Sequence, residues 1–115
     1  MSNYRDDVTY KTLERIIQDA GVIVRYEDVP DNIYARTRDS LISMPREAEM
    51  DAITACIVLG HEMAHILTGI YTADDEPSHT INEATCDMIG SALYKLAEMI
   101  TGADIERQML KAIEA

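Results

Sequence analysis

The sequence predicts a single α+β domain spanning residues 1–115, with an N-terminal helix, a small antiparallel sheet, two long helices and a short C-terminal helix. Three observations support this fold class. Apolar residues recur three and four positions apart in three stretches, as they do on one face of a helix. Short runs rich in β-branched residues, bounded by turn residues, lie between the first two stretches. The chain has 115 residues, of which 47% are apolar, which suits one packed core rather than two domains.

The first helix is predicted over residues 7–20, and the glycine that follows is typical of a helix end. Its apolar face comprises Val8, Leu13, Ile16 and Ile17. Three short strands are predicted next, over residues 22–26, 33–35 and 40–44. Residues 28–32 have the composition of a turn, and polar residues 36–39 would form the turn of a hairpin.

Two long helices account for most of the remaining chain. The first is predicted over Glu47–Leu67 and is apolar on most sides, as in a buried central helix, with Gly69 as its end. A polar, acidic loop is expected over Tyr71–Thr80. The second long helix is predicted over Ile81–Ile100, and Gly102 would separate it from a last short helix over residues 104–113. Six apolar residues of the second helix alternate three and four apart: Ile81, Ala84, Met88, Ala92, Leu96 and Met99.

The charge balance excludes several classes of function. With 10 basic and 21 acidic side chains the net charge is −11, whereas nucleic-acid-binding domains depend on clustered Lys and Arg. The same charge disfavours binding to an anionic membrane surface. The two cysteines, Cys56 and Cys86, match no metal-binding pair and are expected to be buried core residues. Because no apolar segment resembles a signal peptide or a membrane span, we expect a cytoplasmic protein.

Residues His61–His65 have the sequence His-Glu-Met-Ala-His, an HExxH motif within the first long helix. Residues four apart lie on one face of a helix, so the two imidazoles can bind one Zn²⁺ at about 2.0–2.1 Å from each nitrogen. Glu62 would lie beside the metal, where its carboxylate can accept a proton from an activated water and pass it to a leaving amine. A polar stripe at the helix surface is the alternative interpretation. The apolar residues around the motif argue against it, because unpaired His and Glu would then be buried at a cost in free energy.

A third ligand must come from elsewhere in the chain, and Glu83 is the leading candidate. Asp87 lies four residues later on the same helix face, where it would accept a hydrogen bond from a ring N–H of His61 or His65. The alternative is that Glu83 belongs to a capping box that begins at Thr80. Gly90 continues the same face without a side chain, which would let the two long helices approach closely.

Other residues near the motif are weaker candidates for a role in metal binding or catalysis. His79 is a second candidate for third ligand and, like Tyr71, a candidate donor to the developing oxyanion. For each residue a structural alternative stays open, which is an exposed loop histidine for His79 and helix-end packing for Tyr71. Cys86 would point about 100° away from the face of Asp87, so we interpret it as core packing.

The pattern His61-Glu62-x-x-His65 followed by Glu83-x-x-x-Asp87 resembles the HExxH…ExxxD arrangement of gluzincin metallopeptidases. At this chain length the better resemblance is to the ImmA/IrrE family of small zinc metallopeptidases, over residues 22–96. It implies a minimal zincin-like domain with His61, His65 and Glu83 as ligands of one zinc per chain and Glu62 as general base. A phenylalanine that commonly follows the position of Asp87 in that family is missing.

The resemblance also implies a substrate class, because members of that family cleave helix-turn-helix repressor proteins of phages, other mobile elements and stress pathways. The expected partner is therefore a transcriptional repressor protein, with no direct contact to nucleic acid or membrane. We expect the substrate to bind as an added strand at a sheet edge formed by Ser40–Met44. The acidic residues Asp74–Glu76 would favour a basic substrate, although a solvated loop is the alternative.

Two other functions remain open from the sequence. The chain could be a catalytically inactive, zinc-stabilised module that sequesters a protein partner. It could also be a metal-free helical interaction protein in which HExxH occurs by chance, and such a protein would not lose stability with a chelator.

Overall fold

A computed structural model of the chain describes residues 3–28, 36–46, 50–69 and 76–114, and they form an α+β fold. A short 3₁₀ helix, Tyr4–Asp6, precedes three α-helices and three strands. In chain order these are α1 (Val8–Asp19), β1 (Ile23–Glu27), β2 (Arg36–Arg38), β3 (Leu41–Pro45), α2 (Ala52–Thr68) and α3 (Glu76–Glu114). Most of the described residues are helical.

The predicted N-terminal helix is confirmed as α1. Asp7 begins it as N-cap, since its carboxylate accepts the backbone N–H groups of Thr9 and Tyr10. Leu13 and Ile17 are fully buried as the spacing predicts, whereas Val8 is exposed. The glycine at position 21 has a φ of 92°, a left-handed conformation that favours glycine and turns the chain from α1 toward β1.

The sheet is mixed rather than wholly antiparallel as predicted. Its strand order is β1-β3-β2, with β1 parallel to β3 and β2 antiparallel to β3. The predicted hairpin exists, but its turn is tighter than residues 36–39. Arg36–Arg38 is strand β2, and Asp39, with a φ of 55°, and Ser40 make the turn. The predicted strand at 33–35 lies outside the described residues.

The prediction that Ser40–Met44 forms the substrate-binding edge is wrong. Leu41–Met44 belong to β3, which is the central strand, and Ser40 lies in the turn before it. All five residues of β3 pair with β1 on one side, and Leu41–Ser43 pair with β2 on the other. Because Leu41–Ser43 are paired on both sides, an extended peptide cannot add along them. Among the described strands, β1 and β2 are the edges.

Helix α2 begins later than predicted. Met50 and Asp51 are not helical, and residues 47–49 lie outside the described part of the chain. Asp51 is the N-cap, and its side chain accepts the backbone N–H of Thr54 at 2.7 Å. At the other end the prediction is confirmed, because Gly69 has a φ of 71° and its N–H donates to the carbonyl oxygen of His65.

Helix α3 replaces two predicted helices and part of a predicted loop. Residues 76–80 are its first turns rather than a loop, and Gly102 lies within the helix instead of ending it. A single glycine in a helix costs only about 1 kcal/mol relative to alanine, which the turns on both sides can absorb. The tyrosine at position 71 and the acidic residues 74 and 75 lie outside the described residues.

The three helices contact one another, and the sheet packs on α1 through β1 and on α2 through β2 and β3. No helix in the described ranges combines the length and apolar character needed to cross a bilayer. The core is built from residues of the 3₁₀ helix, the three α-helices, the sheet and the residue that precedes β1: Tyr4, Tyr10, Leu13, Ile17, Val22, Ile42, Met44, Ala55, Cys56, Leu59, Met63 and Ala97.

Candidate metal centre

Helix α2 presents two imidazoles side by side. His61 and His65 are four residues apart, and their Nε2 atoms lie 3.1 Å from each other. The rings are nearly perpendicular, with an interplanar angle of 80°. Both are largely shielded from solvent, with side-chain exposures of 15% and 9%. Two nitrogen ligands of one tetrahedral zinc lie roughly 3.3 Å apart, so this spacing fits a shared metal ion.

Helix α3 brings Glu83 to the same point. Its Oε2 lies 3.0 Å from Nε2 of His61, and its Oε1 lies 3.8 Å from Nε2 of His65. One ligand atom from each of the three residues falls within 4.8 Å of the others, so this group could hold a metal ion. The Glu83 side chain is 38% exposed, which leaves the site open to solvent on that side.

The crossing of α2 and α3 brings the three residues together. Gly60, next to His61, faces Gly90, and a Cβ atom built on Gly60 would lie 2.6 Å from the carbonyl oxygen of Gly90. Such a Cβ–oxygen distance does not occur in real structures, so only glycine allows this approach. The predicted close approach of the helices at Gly90 is therefore confirmed.

Asp87 contacts the outer nitrogen of His61. Its Oδ1 lies 2.7 Å from Nδ1 of His61, so the predicted hydrogen bond to a ring N–H is present. With that proton directed at the carboxylate, a neutral His61 has only a lone pair at Nε2. The lone pair faces Oε2 of Glu83 and Nε2 of His65, both within 3.1 Å. A proton on Nε2 of His65 or a bound cation would each stabilise these short distances.

Cys86 contacts the outer nitrogen of His65. The cysteine is fully buried, as predicted, but its Sγ also lies 3.5 Å from Nδ1 of His65, which sequence reasoning missed. Burial and the Glu83 carboxylate raise the pKa of the Cys86 thiol, so it is uncharged at neutral pH. The sulfur can accept a hydrogen bond from the Nδ1 proton of His65. The sequence could have indicated this contact. Cys86 follows the candidate ligand Glu83 by three residues, and residues three apart on a helix are neighbours.

Two alternatives to Glu83 as third ligand were a capping-box role for Glu83 and ligation by His79. Thr80 lies within α3, which starts at Glu76, so Thr80 cannot be the N-cap of a capping box with Glu83. His79 lies in the first turns of α3, not in a loop, and is exposed. The cluster of three groups contains Glu83 and not His79. Oxyanion roles for His79 and Tyr71 stay predictions.

Glu62 is half-buried on α2 between the two histidines in sequence. Burial, with the charges of the Glu83, Asp87 and Glu62 carboxylates, raises the pKa of the Cys86 thiol. Two of these carboxylates, Glu83 and Asp87, contact His61 directly. This excess of negative charge favours a divalent cation over an anion.

Comparison of the chain with protein-family models, with curated proteins and with solved structures gave no match in any of the three. The resemblance to the ImmA/IrrE family stays a prediction that depends on the residues quoted above.

Proposed function

We propose that this chain is a cytoplasmic zinc-dependent endopeptidase with a minimal zincin-like domain. The observation that supports it most is the convergence of three potential ligand atoms, Nε2 of His61, Nε2 of His65 and a carboxylate oxygen of Glu83. Two imidazoles and one carboxylate are a ligand set of catalytic zinc, which has three protein ligands and an open position. The exposed side of Glu83 provides room for that open position.

The proposed reaction is the hydrolysis of a peptide bond by water. A zinc ion held by this group would lower the pKa of water to near 7 and polarise the substrate carbonyl. Glu62 accepts the proton of the attacking water and then donates it to the departing nitrogen. Asp87 fixes the ring of His61 by accepting its Nδ1 proton, so that Nε2 keeps its orientation toward the centre.

The proposed substrate is a helix-turn-helix repressor protein of a mobile element or stress pathway. This class follows from the resemblance to the ImmA/IrrE family, and the net charge of −11 suits a basic DNA-binding protein. Since β3 is the central strand, the described edge strands are β1 and β2. Of these two, β2 (Arg36–Arg38) is the one that contacts α2. We propose β2 as the strand to which an extended substrate segment adds.

The first experiment measures metal content by elemental mass spectrometry on untagged protein, because a His tag binds zinc itself. We expect close to one zinc per chain, lost in Glu83→Ala and retained in His79→Ala. A chelator should lower the free energy of unfolding, since metal binding to the folded state is linked to stability. Absence of zinc after supplementation would exclude the peptidase and leave an interaction domain.

The second experiment tests the chemistry with Glu62→Gln, and Glu106→Gln on the exposed end of α3 is the matched control. Both variants should retain zinc. New protein N-termini, mapped by mass spectrometry in cells that express the chain, should appear with the unaltered protein and the control and disappear with Glu62→Gln. If these termini map to helix-turn-helix proteins, the substrate class is correct. A biological effect that survives Glu62→Gln identifies the chain as a sequestering module instead.

A further inference from the structure

The apolar stripe that the sequence places on α3 faces solvent. All of its residues are exposed, and the largest values are 64% for Ile81, 75% for Met88 and 72% for Met99. The opposite face, with Cys86, Gly90 and others, packs on the rest of the protein. The metal centre lies on that packed side, so the stripe has no role in the proposed reaction.

The stripe continues to the end of α3 with a regular spacing. The outer stripe, as we name it, consists of Ile81, Met88, Ala92, Met99, Ala103 and Leu110. Its successive intervals are 7, 4, 7, 4 and 7 residues. An 11-residue repeat averages about 3.67 residues per turn, so the six positions form a nearly straight line along the helix. None of the six is charged, and Glu106 lies on the same line near the end of the helix, where it would face Thr85 of the other copy.

The intervals between these residues are the same when counted from either end of the outer stripe. Two antiparallel copies of the stripe therefore match each other position by position. When two α3 helices lie antiparallel about a two-fold axis between residues 95 and 96, Ile81 meets Leu110. In the same arrangement, Met88 meets Ala103 and Ala92 meets Met99. Each methionine therefore faces an alanine of the other copy, the alternation of large and small residues that lets helices interdigitate.

Large apolar side chains of the outer stripe are exposed along its whole length. Leu110 is 52% exposed near the helix end, and Leu96, which lies beside the two-fold axis, is 45% exposed. Packing two such stripes together would remove these side chains from water. Helix α3 also determines the 59 Å length of the molecule, because its last turns project beyond the core. A projecting apolar helix end such as Leu110 gains most of its stability from packing against another surface.

We propose that a second copy of this chain covers the outer stripe, forming a symmetric dimer through antiparallel α3 helices. Such a contact is isologous, since the same surface serves both subunits, and it closes without leading to filaments. The ligand face of α3 points away from the contact, so the dimer leaves the metal centre accessible.

Sedimentation equilibrium on the full, untagged chain tests the dimer. We expect twice the chain mass of 12.9 kDa at micromolar concentration. Ala92→Glu should weaken the dimer by about 100-fold or more, because it buries two charges without partners. Ser91→Glu, its exposed neighbour beside the stripe, should leave the mass unchanged. Both variants should bind zinc like the unaltered chain. A monomer at every concentration, or a dimer insensitive to Ala92→Glu, would overturn the proposal.

Disulfide cross-linking tests the register without adding charge. The double variant Ala92→Cys with Met99→Cys should form a covalent dimer under mild oxidation, because these positions face each other. Met99→Cys alone should remain monomeric on a non-reducing gel, since the two introduced thiols would lie about 10 Å apart along the helices. The natural cysteines are buried and should not contribute. A cross-link in Met99→Cys alone would show a parallel pair, and no cross-link in either variant would contradict the antiparallel register.

Discussion

Gly60 and Gly90 are in backbone contact where α2 crosses α3. Gly60 directly precedes His61 on α2, and Gly90 follows Glu83 by seven residues on α3. A Cβ atom on Gly90 would lie 2.6 Å from the backbone nitrogen of His61 and 2.9 Å from the carbonyl carbon of Gly60. Both neighbours are main-chain atoms and cannot rotate away. The distance between the helix that carries the histidines and the helix that carries the glutamate is therefore set by this pair.

Gly90→Ala should separate the two helices and weaken the metal centre. We expect the free energy of unfolding to fall by about 1–3 kcal/mol, as for overpacked cores, and zinc affinity to fall by about tenfold or more. Urea unfolding of the metal-free protein and competition titration against a zinc chelator measure the two effects. Gly102→Ala is the matched control, because a Cβ there meets nothing within 4 Å. Alanine should stabilise that site by about 0.5–1 kcal/mol through its helix propensity. Equal behaviour of the two variants would contradict the role of the crossing.

Asp87→Asn should weaken zinc binding while leaving the fold intact. The carboxylate accepts the Nδ1 proton of His61 at 2.7 Å, and its charge makes His61 a better ligand through the ring. We expect a loss of affinity of about 10–100-fold, with little change in stability because Asp87 is exposed. Asp104→Asn, on the same helix near Arg107, should leave the zinc affinity unchanged. Unchanged zinc affinity in Asp87→Asn would show that the charge of Asp87 does not strengthen zinc binding by His61.

Cys86→Ala separates the contact of the thiol with His65 from its contribution to packing. Cys56→Ala is the matched control, because Cys56 is equally buried in the core and lies nine residues before His65 on the opposite face of α2. Both variants should lose about 1 kcal/mol of stability from the deleted sulfur. We expect only Cys86→Ala to lose zinc affinity as well, because its sulfur lies 3.5 Å from Nδ1 of His65. Calorimetric zinc titration of both variants makes the comparison, and equal affinities would assign Cys86 to packing alone.

The cluster of ligand atoms was predictable because helix geometry is local. The i, i+4 spacing places His61 beside His65 and Glu83 beside Asp87, whatever the rest of the fold does. Gly90 on the face of Asp87 also indicated that the second helix could approach the first. The contact of Cys86 with His65 was missed, although its i, i+3 relation to Glu83 could have indicated it.

The errors concern relationships that local patterns do not contain. Strand order is non-local, so nothing in the apolar run at 41–45 showed that this strand lies between two others. The proline at position 77 looked like part of a loop, yet proline is favourable in the first turn of a helix, where no N–H bond is lost. Periodicity on α3 indicated an apolar face at Met88 and Met99 but not whether the fold covers it.

A cluster of two buried tyrosines, Tyr4 and Tyr10, and the half-buried Tyr26 should make the fold sensitive to alkali. Tyr10 and Tyr26 share a hydrogen bond at 2.8 Å, and Tyr26 donates to the carboxylate of Glu14. Burial raises the pKa of Tyr4 from 10.0 to about 12 and raises the pKa of Tyr10 and Tyr26 as well. Burial also raises the pKa of Cys56 from 9.0 to about 12.

Because these pKa values are higher in the folded state, the unfolded chain loses its protons first as the pH rises. These groups should therefore leave the free energy of unfolding unchanged up to about pH 8.5 and then lower it, by at most about 1.4 kcal/mol per pH unit for each group. Urea unfolding between about pH 8 and pH 11 measures the slope, and phenolate absorbance should rise together with the loss of helical circular dichroism. Tyr26→Phe should give a shallower slope. Ionisation of all six tyrosines near pH 10, with the helical signal intact, would refute the burial of this cluster.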